Sequence, residues 1–224
     1  MLYLQNNMPS STILISDPKV LKIPIIENND PLVDLSAFLE LQVDTAKSKA
    51  SVLFFKIRKS VALKLVEAQN RLPQGLKLLI VEGYRPLSLQ REYFDEYSHE
   101  LAATHPDWDS DKIYKEASKY IAPPDIIPPH STGGAVDLTL VDAEGRDLDM
   151  GTEVNANPEE SNNACFMLAH NISEAARKNR SILAYALLQS GFVNYGTEWW
   201  HWSYGDRYWA FQSNKPAALF GTLE

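Results

Sequence analysis

Two short stretches of the chain carry side chains that could hold a metal ion. The first is His130-Ser-Thr-Gly-Gly-Ala-Val-Asp137. An imidazole and a carboxylate are both good zinc ligands. An odd offset cannot place both on one face of a regular strand, so a turn must fold them together. Gly133 and Gly134 permit such a turn, with His130 on the loop and Asp137 on the strand that follows. The second stretch is Glu198-Trp-Trp-His201. Residues three apart point to opposite sides of an ideal strand. Glu198 and His201 converge only if Glu198 lies at the strand entrance, where Gly196 allows a bend. His201 would then be a third protein ligand, the fourth position would stay open for water, and Glu198 could take that water's proton.

Both stretches also have plain structural readings. His130 can be a loop histidine and Asp137 a turn cap, while Trp199, Trp200, Trp202 and Tyr204 can simply fill a core strand. A third feature, Glu82-Gly-Tyr-Arg85-Pro, ends an apolar run. An arginine there could steady the oxyanion of a tetrahedral intermediate, or could merely pair with Glu82. Metal ligands, a base and an anion stabiliser together spell metal-assisted hydrolysis, which none of the three spells alone.

Other chemistries find less support. His99, His105 and His170 fall in or beside segments that read as helices, as structural or solvent-facing residues. The single cysteine, Cys165, has no basic neighbour to activate it and can form no internal disulfide, which fits a reducing compartment. A net charge of −8 offers no general attraction to nucleic acid. No apolar run reaches the ~18 residues needed to span a bilayer. The N-terminus lacks a basic segment followed by an apolar run, so it is not read as a signal peptide. The expected compartment is cytoplasmic, or periplasmic if a leader has been removed.

The elements that must position these residues follow from pattern. Residues 12–26 are β-branched and predict one or two strands. Residues 52–72 predict a helix stopped by Pro73 and Gly75. Residues 76–81 predict a buried strand, and a helix over 89–103 follows a Ser88 cap. A shorter helix over 110–121 is capped by Asp109 or Ser110. Prolines 123, 124, 128 and 129 stiffen the approach to His130. Residues 134–141 predict a central strand, followed by a turn at Asp142–Gly145 and a polar loop over 146–163. Helices are expected over 164–177 and 181–190, with Gly191 closing the second. Strands are expected over 192–204 and 207–212. This mixed order predicts an α+β fold, a central antiparallel sheet flanked by helices, in a single domain over 1–224.

The residues themselves resemble a known family. His130 to Asp137, with Gly133 and Ala135 between, resembles the S-x-H-x-x-G-x-A-x-D signature of zinc D-alanyl-D-alanine peptidases. Glu198-Trp-Trp-His201 resembles their E-x-x-H signature. With Glu82-Gly-Tyr-Arg85-Pro and the Met150-Gly151-Thr152 turn, the chain is similar to the dipeptidase branch of that group, from about residue 15 to 211. The resemblance implies one Zn2+ per chain on His130, Asp137 and His201, with Glu198 as general base and later proton donor. It implies Arg85 as stabiliser of the tetrahedral intermediate, and hydrolysis of the small dipeptide D-Ala-D-Ala to two D-alanines. D,D-carboxypeptidases or endopeptidases acting on wall peptides, and a catalytically silent wall-peptide binder, share parts of this pattern. Two positions depart from it: Pro128 stands where the signature has serine, and Val154-Asn155 where the branch has Phe-Asp. An acid replaced by Asn155 would weaken the hold on a free ammonium group.

Overall fold

A computed structural model describes residues 13–46 and 51–223 of the chain. The N-terminal stretch read for a leader lies largely outside them. The described elements are helices α1 (Pro18–Leu21), α2 (Lys59–Gln69), α3 (Leu87–Thr104), α4 (Ser110–Ala117), α5 (Glu174–Gln189) and α6 (Arg207–Gln212). The strands are β1 (Leu32–Asp34), β2 (Gln42–Val43), β3 (Lys56–Arg58), β4 (Lys77–Glu82), β5 (Ala135–Val141), β6 (Val193–Asn194) and β7 (His201–Ser203). The main sheet runs β2-β4-β5-β7-β6, and β1 pairs with β3 in a small second ribbon. Only the β2–β4 pairing is parallel; β4–β5, β5–β7 and β6–β7 are antiparallel. The α+β architecture is the expected one.

Strand β5 is buried along its whole length. Val136, Leu138 and Leu140 face a core shared with Leu78 and Ile80 of β4, Val61 and Leu65 of α2, and Leu183 and Leu187 of α5. The alternate residues of β5 point to the other side of the sheet, which is where Asp137 lies. Strand β4 contains a bulge. Ile80 pairs with Leu138, yet Glu82, two residues on, pairs with Asp137, one residue back. The extra residue turns Glu82 onto the same face as Asp137.

Several expected elements differ. Residues 13–26 hold the single-turn helix α1, capped by the Asp17 side chain on the Lys19 N–H, and an isolated Ile25–Ala218 bridge in place of strands. The stretch 52–72 divides into a 3-10 turn at Val52–Phe55, strand β3 and then α2, because β3 is claimed by its pairing with β1. Helix α3 starts directly after Pro86, without a side-chain cap from Ser88. Helix α4 is capped by Asp109 as expected but ends at Ala117. The helix expected over 164–177 is absent: helix begins at Glu174, capped by Ser173. The preceding carbonyls of Ala164 and Phe166 are taken by the Arg180 guanidinium, which competes with helical pairing. The strand expected over 192–204 is broken by turns between β6 and β7. Residues 207–212 are helical because the Asp206 carboxylate caps the Trp209 N–H at 2.7 Å and starts α6.

Candidate metal centre

Each residue of the centre is placed by a local device. His130 opens a 3-10 turn, His130–Thr132, that ends at Gly133 in the left-handed region with φ 69°. That conformation suits glycine and reverses the chain into β5, so the odd His130–Asp137 offset is resolved as the spacing required. Arg58 holds the turn from outside. Its N–H donates to Gly133 O at 3.0 Å and its Nε–H to Thr132 O at 2.8 Å. His201 is the first residue of β7 and pairs directly with Asp137. Residues 196–200 form turns ahead of it, which is the bend that Glu198 needed. Asn194 Nδ2 ties that bend by donating to the carbonyls of both Glu198 and His201, each at 2.9 Å.

The result is a tight knot of three buried donors. His130 Nε2 lies 3.1 Å from His201 Nδ1 and 3.3 Å from Asp137 Oδ1. His201 Nδ1 lies 3.0 Å from the same Asp137 oxygen. A carbonyl can only accept, so the 2.7 Å contact from His130 Nδ1 to Gly83 O puts the His130 proton on Nδ1. In the neutral ring the Nε2 lone pair then points into the knot. Zinc bonds of 2.0–2.1 Å would set the corners of a tetrahedron about 3.3 Å apart. The donor spacing and chemistry fit that ion. Among the described residues no other group of three such ligands comes together. Burial acts against the Asp137 carboxylate, yet His130 and His201 pull its pKa far below the usual range. Burial likewise acts against protonated His130, and Asp137 reverses that and raises its pKa.

Glu198 stands beside the knot, with Oε2 3.9 Å from His201 Nδ1 and its side chain 20% exposed to the cavity. Burial raises its pKa to about 7; His201 and Arg85 lower it and Asp137 adds to the rise. Arg85 is fixed at its base. Its Nε–H donates to Glu82 Oε1 at 2.6 Å and its Nη1 to Gln90 Oε1 at 2.9 Å. The guanidinium carbon sits 4.9 Å over the Tyr93 ring. Arg85 thus pairs with Glu82 and also lines the same cavity as the three donors and Glu198.

That cavity holds about 420 Å³. Pro128, Asn155 and Asn157 are on its wall, so both departures from the family pattern face it. Thr152 of the Met-Gly-Thr turn accepts from Trp199 Nε1 at 2.8 Å, which fastens the loop to the Glu198 bend. His99 and His170 are exposed, and His105 stacks on Trp108 at 3.8 Å, all away from the centre. Cys165 is buried, and burial raises its thiol pKa, which disfavours the reactive thiolate.

Sequence reasoning missed three contributors. Gly83 supplies the carbonyl that orients His130, and a Cβ there would meet Lys56 O at 2.6 Å. Gln90 and Tyr93 of α3 position Arg85. The close packing that requires glycine at 83 depends on β3, which the pattern did not reveal.

Residues 43–216 match the model of a peptidase family described as D-ala-D-ala dipeptidase. A D-alanyl-D-alanine dipeptidase of Synechocystis sp. is 29% identical over 198 residues, covering 76% of this chain and 80% of that protein. One from Enterococcus faecalis is 31% identical over 167 residues, covering 68% of this chain and 77% of that protein. Among solved structures, a chain described as VanYB in complex with D-alanine-D-alanine matches with TM-score 0.43 and 18% identity, over 71% of this chain and 79% of that one. By the family match, this chain belongs to the D-alanyl-D-alanine dipeptidase family of peptidases.

Proposed function

We propose that the protein is a zinc-dependent dipeptidase that hydrolyses D-alanyl-D-alanine. His130, Asp137 and His201 hold one Zn2+, Glu198 is the base, and Arg85 stabilises the tetrahedral intermediate. The observation that carries this reading is the convergence of His130 Nε2, Asp137 Oδ1 and His201 Nδ1 within 3.0–3.3 Å of one another. When bound, zinc supplies a Lewis acid and lowers the pKa of water toward ~7. Glu198, with a pKa raised to about 7 by burial, accepts the proton of the attacking water and returns it to the leaving nitrogen. Arg85 offers to the oxyanion its Nη2, which has no hydrogen-bond partner among the described residues, while its Nε and Nη1 are engaged by Glu82 and Gln90.

One continuous core, from Leu35 to Phe220, supports reading the whole chain as a single domain. No helix among the described residues is long and apolar enough to cross a membrane. A cytoplasmic location agrees with the single buried thiol, and neither a nucleic-acid partner nor a particular oligomer is part of the reading.

A second reading concerns substrate length. The carboxylates lining the cavity are Glu82, Asp137 and Glu198, and the proposed mechanism engages all three. Asn155 is neutral, so no carboxylate there remains for a free substrate ammonium. An N-blocked D-Ala-D-Ala terminus, the substrate type of a D,D-carboxypeptidase, loses nothing by this. The deciding experiment incubates zinc-loaded protein with D-Ala-D-Ala and with N-acetyl-D-Ala-D-Ala and measures released D-alanine. Preference for the free dipeptide supports the first reading, preference for the blocked one the second. Release from neither would overturn both.

A further inference from the structure

A second layer of polar groups lies behind His201, and the mechanism above uses none of them. His201 Nε2, the ring nitrogen facing away from the knot, is 3.5 Å from Ser203 Oγ. Ser203 is fully buried. Beyond it is Asp206, 1% exposed, and the nearby Ser203 hydroxyl is among the groups that favour its ionised carboxylate. Asp206 Oδ1 accepts the Trp209 N–H at 2.7 Å and so caps α6. Its Oδ2 has no hydrogen-bond partner among the described residues.

A buried carboxylate with an idle oxygen is costly unless positive charge lies near. Burial does push the Asp206 pKa up, and the groups that oppose the rise include His201 and His130. Capping α6 does not explain the choice of residue, because asparagine caps helices as well as aspartate and would leave no buried charge. The two histidines also differ in how their protons are held. His130 is oriented by a backbone carbonyl, Gly83 O. Among the described residues, His201 has the Ser203 side chain alone at its outer nitrogen. Metal-bound histidines generally need such an outer partner to fix the tautomer.

We infer that Ser203 and Asp206 are positioning residues for the metal centre: they keep the His201 proton on Nε2, so that its Nδ1 lone pair faces His130 and Asp137, and they place a second buried negative charge behind a ligand set that carries only one. The inference rests on the zinc-centre reading above.

The test measures zinc affinity of the full-length protein by competition with a chromophoric chelator, alongside the melting temperature of the metal-free protein. Asp206→Asn keeps the helix cap and removes the charge. It is expected to weaken zinc binding about 10–100-fold while the metal-free melting temperature stays at the wild-type value. Ser203→Ala is expected to weaken it too, and the double variant no further than Asp206→Asn alone, because both act along one path. Zinc affinity of Asp206→Asn within about twofold of wild type would overturn the inference. Should Asp206→Asn not fold, Ser203→Ala decides, with unchanged affinity again overturning it. Wild-type protein that takes up no zinc overturns the metal-centre reading and this inference together. Tight wild-type binding with both variants unaffected overturns the inference alone.

Discussion

Glu198 is kept in a setting that makes its proton easy to gain and easy to lose. It sits in a cavity wall, crowded by protein, with the charge of Asp137 nearby and that of His201 opposing it. As the proposed base it is expected to be needed for turnover and dispensable for metal. Glu198→Gln should lower kcat by ~10²–10⁴-fold and leave zinc stoichiometry at wild type, read by metal analysis of the dialysed protein. Loss of zinc in that variant would make Glu198 a ligand instead. Arg85 gives a second residue-scale test. Its guanidinium is anchored by Glu82 and Gln90 through two different nitrogens, a fork that an ammonium cannot reproduce. Arg85→Lys should therefore behave like Arg85→Ala, with kcat falling far more than KM rises. A change confined to KM would mark Arg85 as a ground-state binding group. At this scale the sequence was most legible. The proposed ligands, base and arginine all fall in short motifs, and residue type alone limits their chemistry. Gly83, Gln90, Ser203 and Asp206 were illegible because their roles depend on neighbours far off in the chain.

Two buried arginines organise the elements around the site. Arg58 reaches Glu27, Asp30 O, Thr132 O and Gly221 O, joining the N-terminal segment, the His130 turn and the C-terminal segment. Its one carboxylate partner, Glu27, is about a third exposed. Glu27→Gln is expected to cost about 1–2 kcal/mol in urea unfolding, less than a fully buried pair because water screens one side. The pH dependence has a defined sign. Burial alone would raise the Glu27 pKa, but the Gly221 and Asn29 N–H groups and Arg58 bring it below the usual carboxylate value. A depressed folded-state pKa means stabilisation that is complete above the ordinary carboxylate range and lost as pH falls through the lowered value. The gap between wild type and Glu27→Gln should thus be widest near pH 6 and shrink toward pH ~3. A gap that widens on acidification would contradict the pairing. Arg180 does similar work without any carboxylate, donating to the carbonyls of Met150, Ala164 and Phe166. Burial lowers its pKa to about 10. These arginines explain why element boundaries were the least legible part of the sequence. Local propensity favoured helix at 164–173, and a guanidinium from α5 claimed the backbone. Apolar spacing favoured one helix across 52–72, and pairing with β1 claimed β3.

At the scale of the whole molecule, strands distant in sequence must be assembled before the proposed centre exists. Its ligands come from the turn before β5, from β5 and from β7, so binding of zinc should be coupled to the folded state. Adding zinc to metal-free protein is expected to raise the melting temperature in a concentration-dependent way, by about 2.7 kcal/mol of stability at a hundredfold excess over Kd. Chelation should abolish hydrolysis and return the melting temperature to the metal-free value, with both restored by zinc. A melting temperature indifferent to zinc would mean that these donors do not bind it in the native state. The fold class was legible at this scale because the order of segments restricts the layers available. The parallel edge strand β2 was not, being two residues long.

The bulge in β4 makes the site sensitive to a kind of change that leaves composition almost untouched. Core residues of β4 before the bulge keep their register with β5, while Glu82 meets Asp137 across one extra residue, Val81. Removing Val81 would let Glu82 pair with Asp137 regularly and leave Leu78 and Ile80 packed as before, so Arg85, three residues beyond Glu82, would keep its anchor. Adding a residue between Ile80 and Glu82 would instead carry Glu82 and Arg85 out of step with Asp137. Along this strand, then, chain length is itself under functional constraint. Conservative exchanges at 81, and its deletion, should be absorbed, whereas a single-residue insertion there should yield a folded protein whose arginine no longer reaches the metal-side cavity.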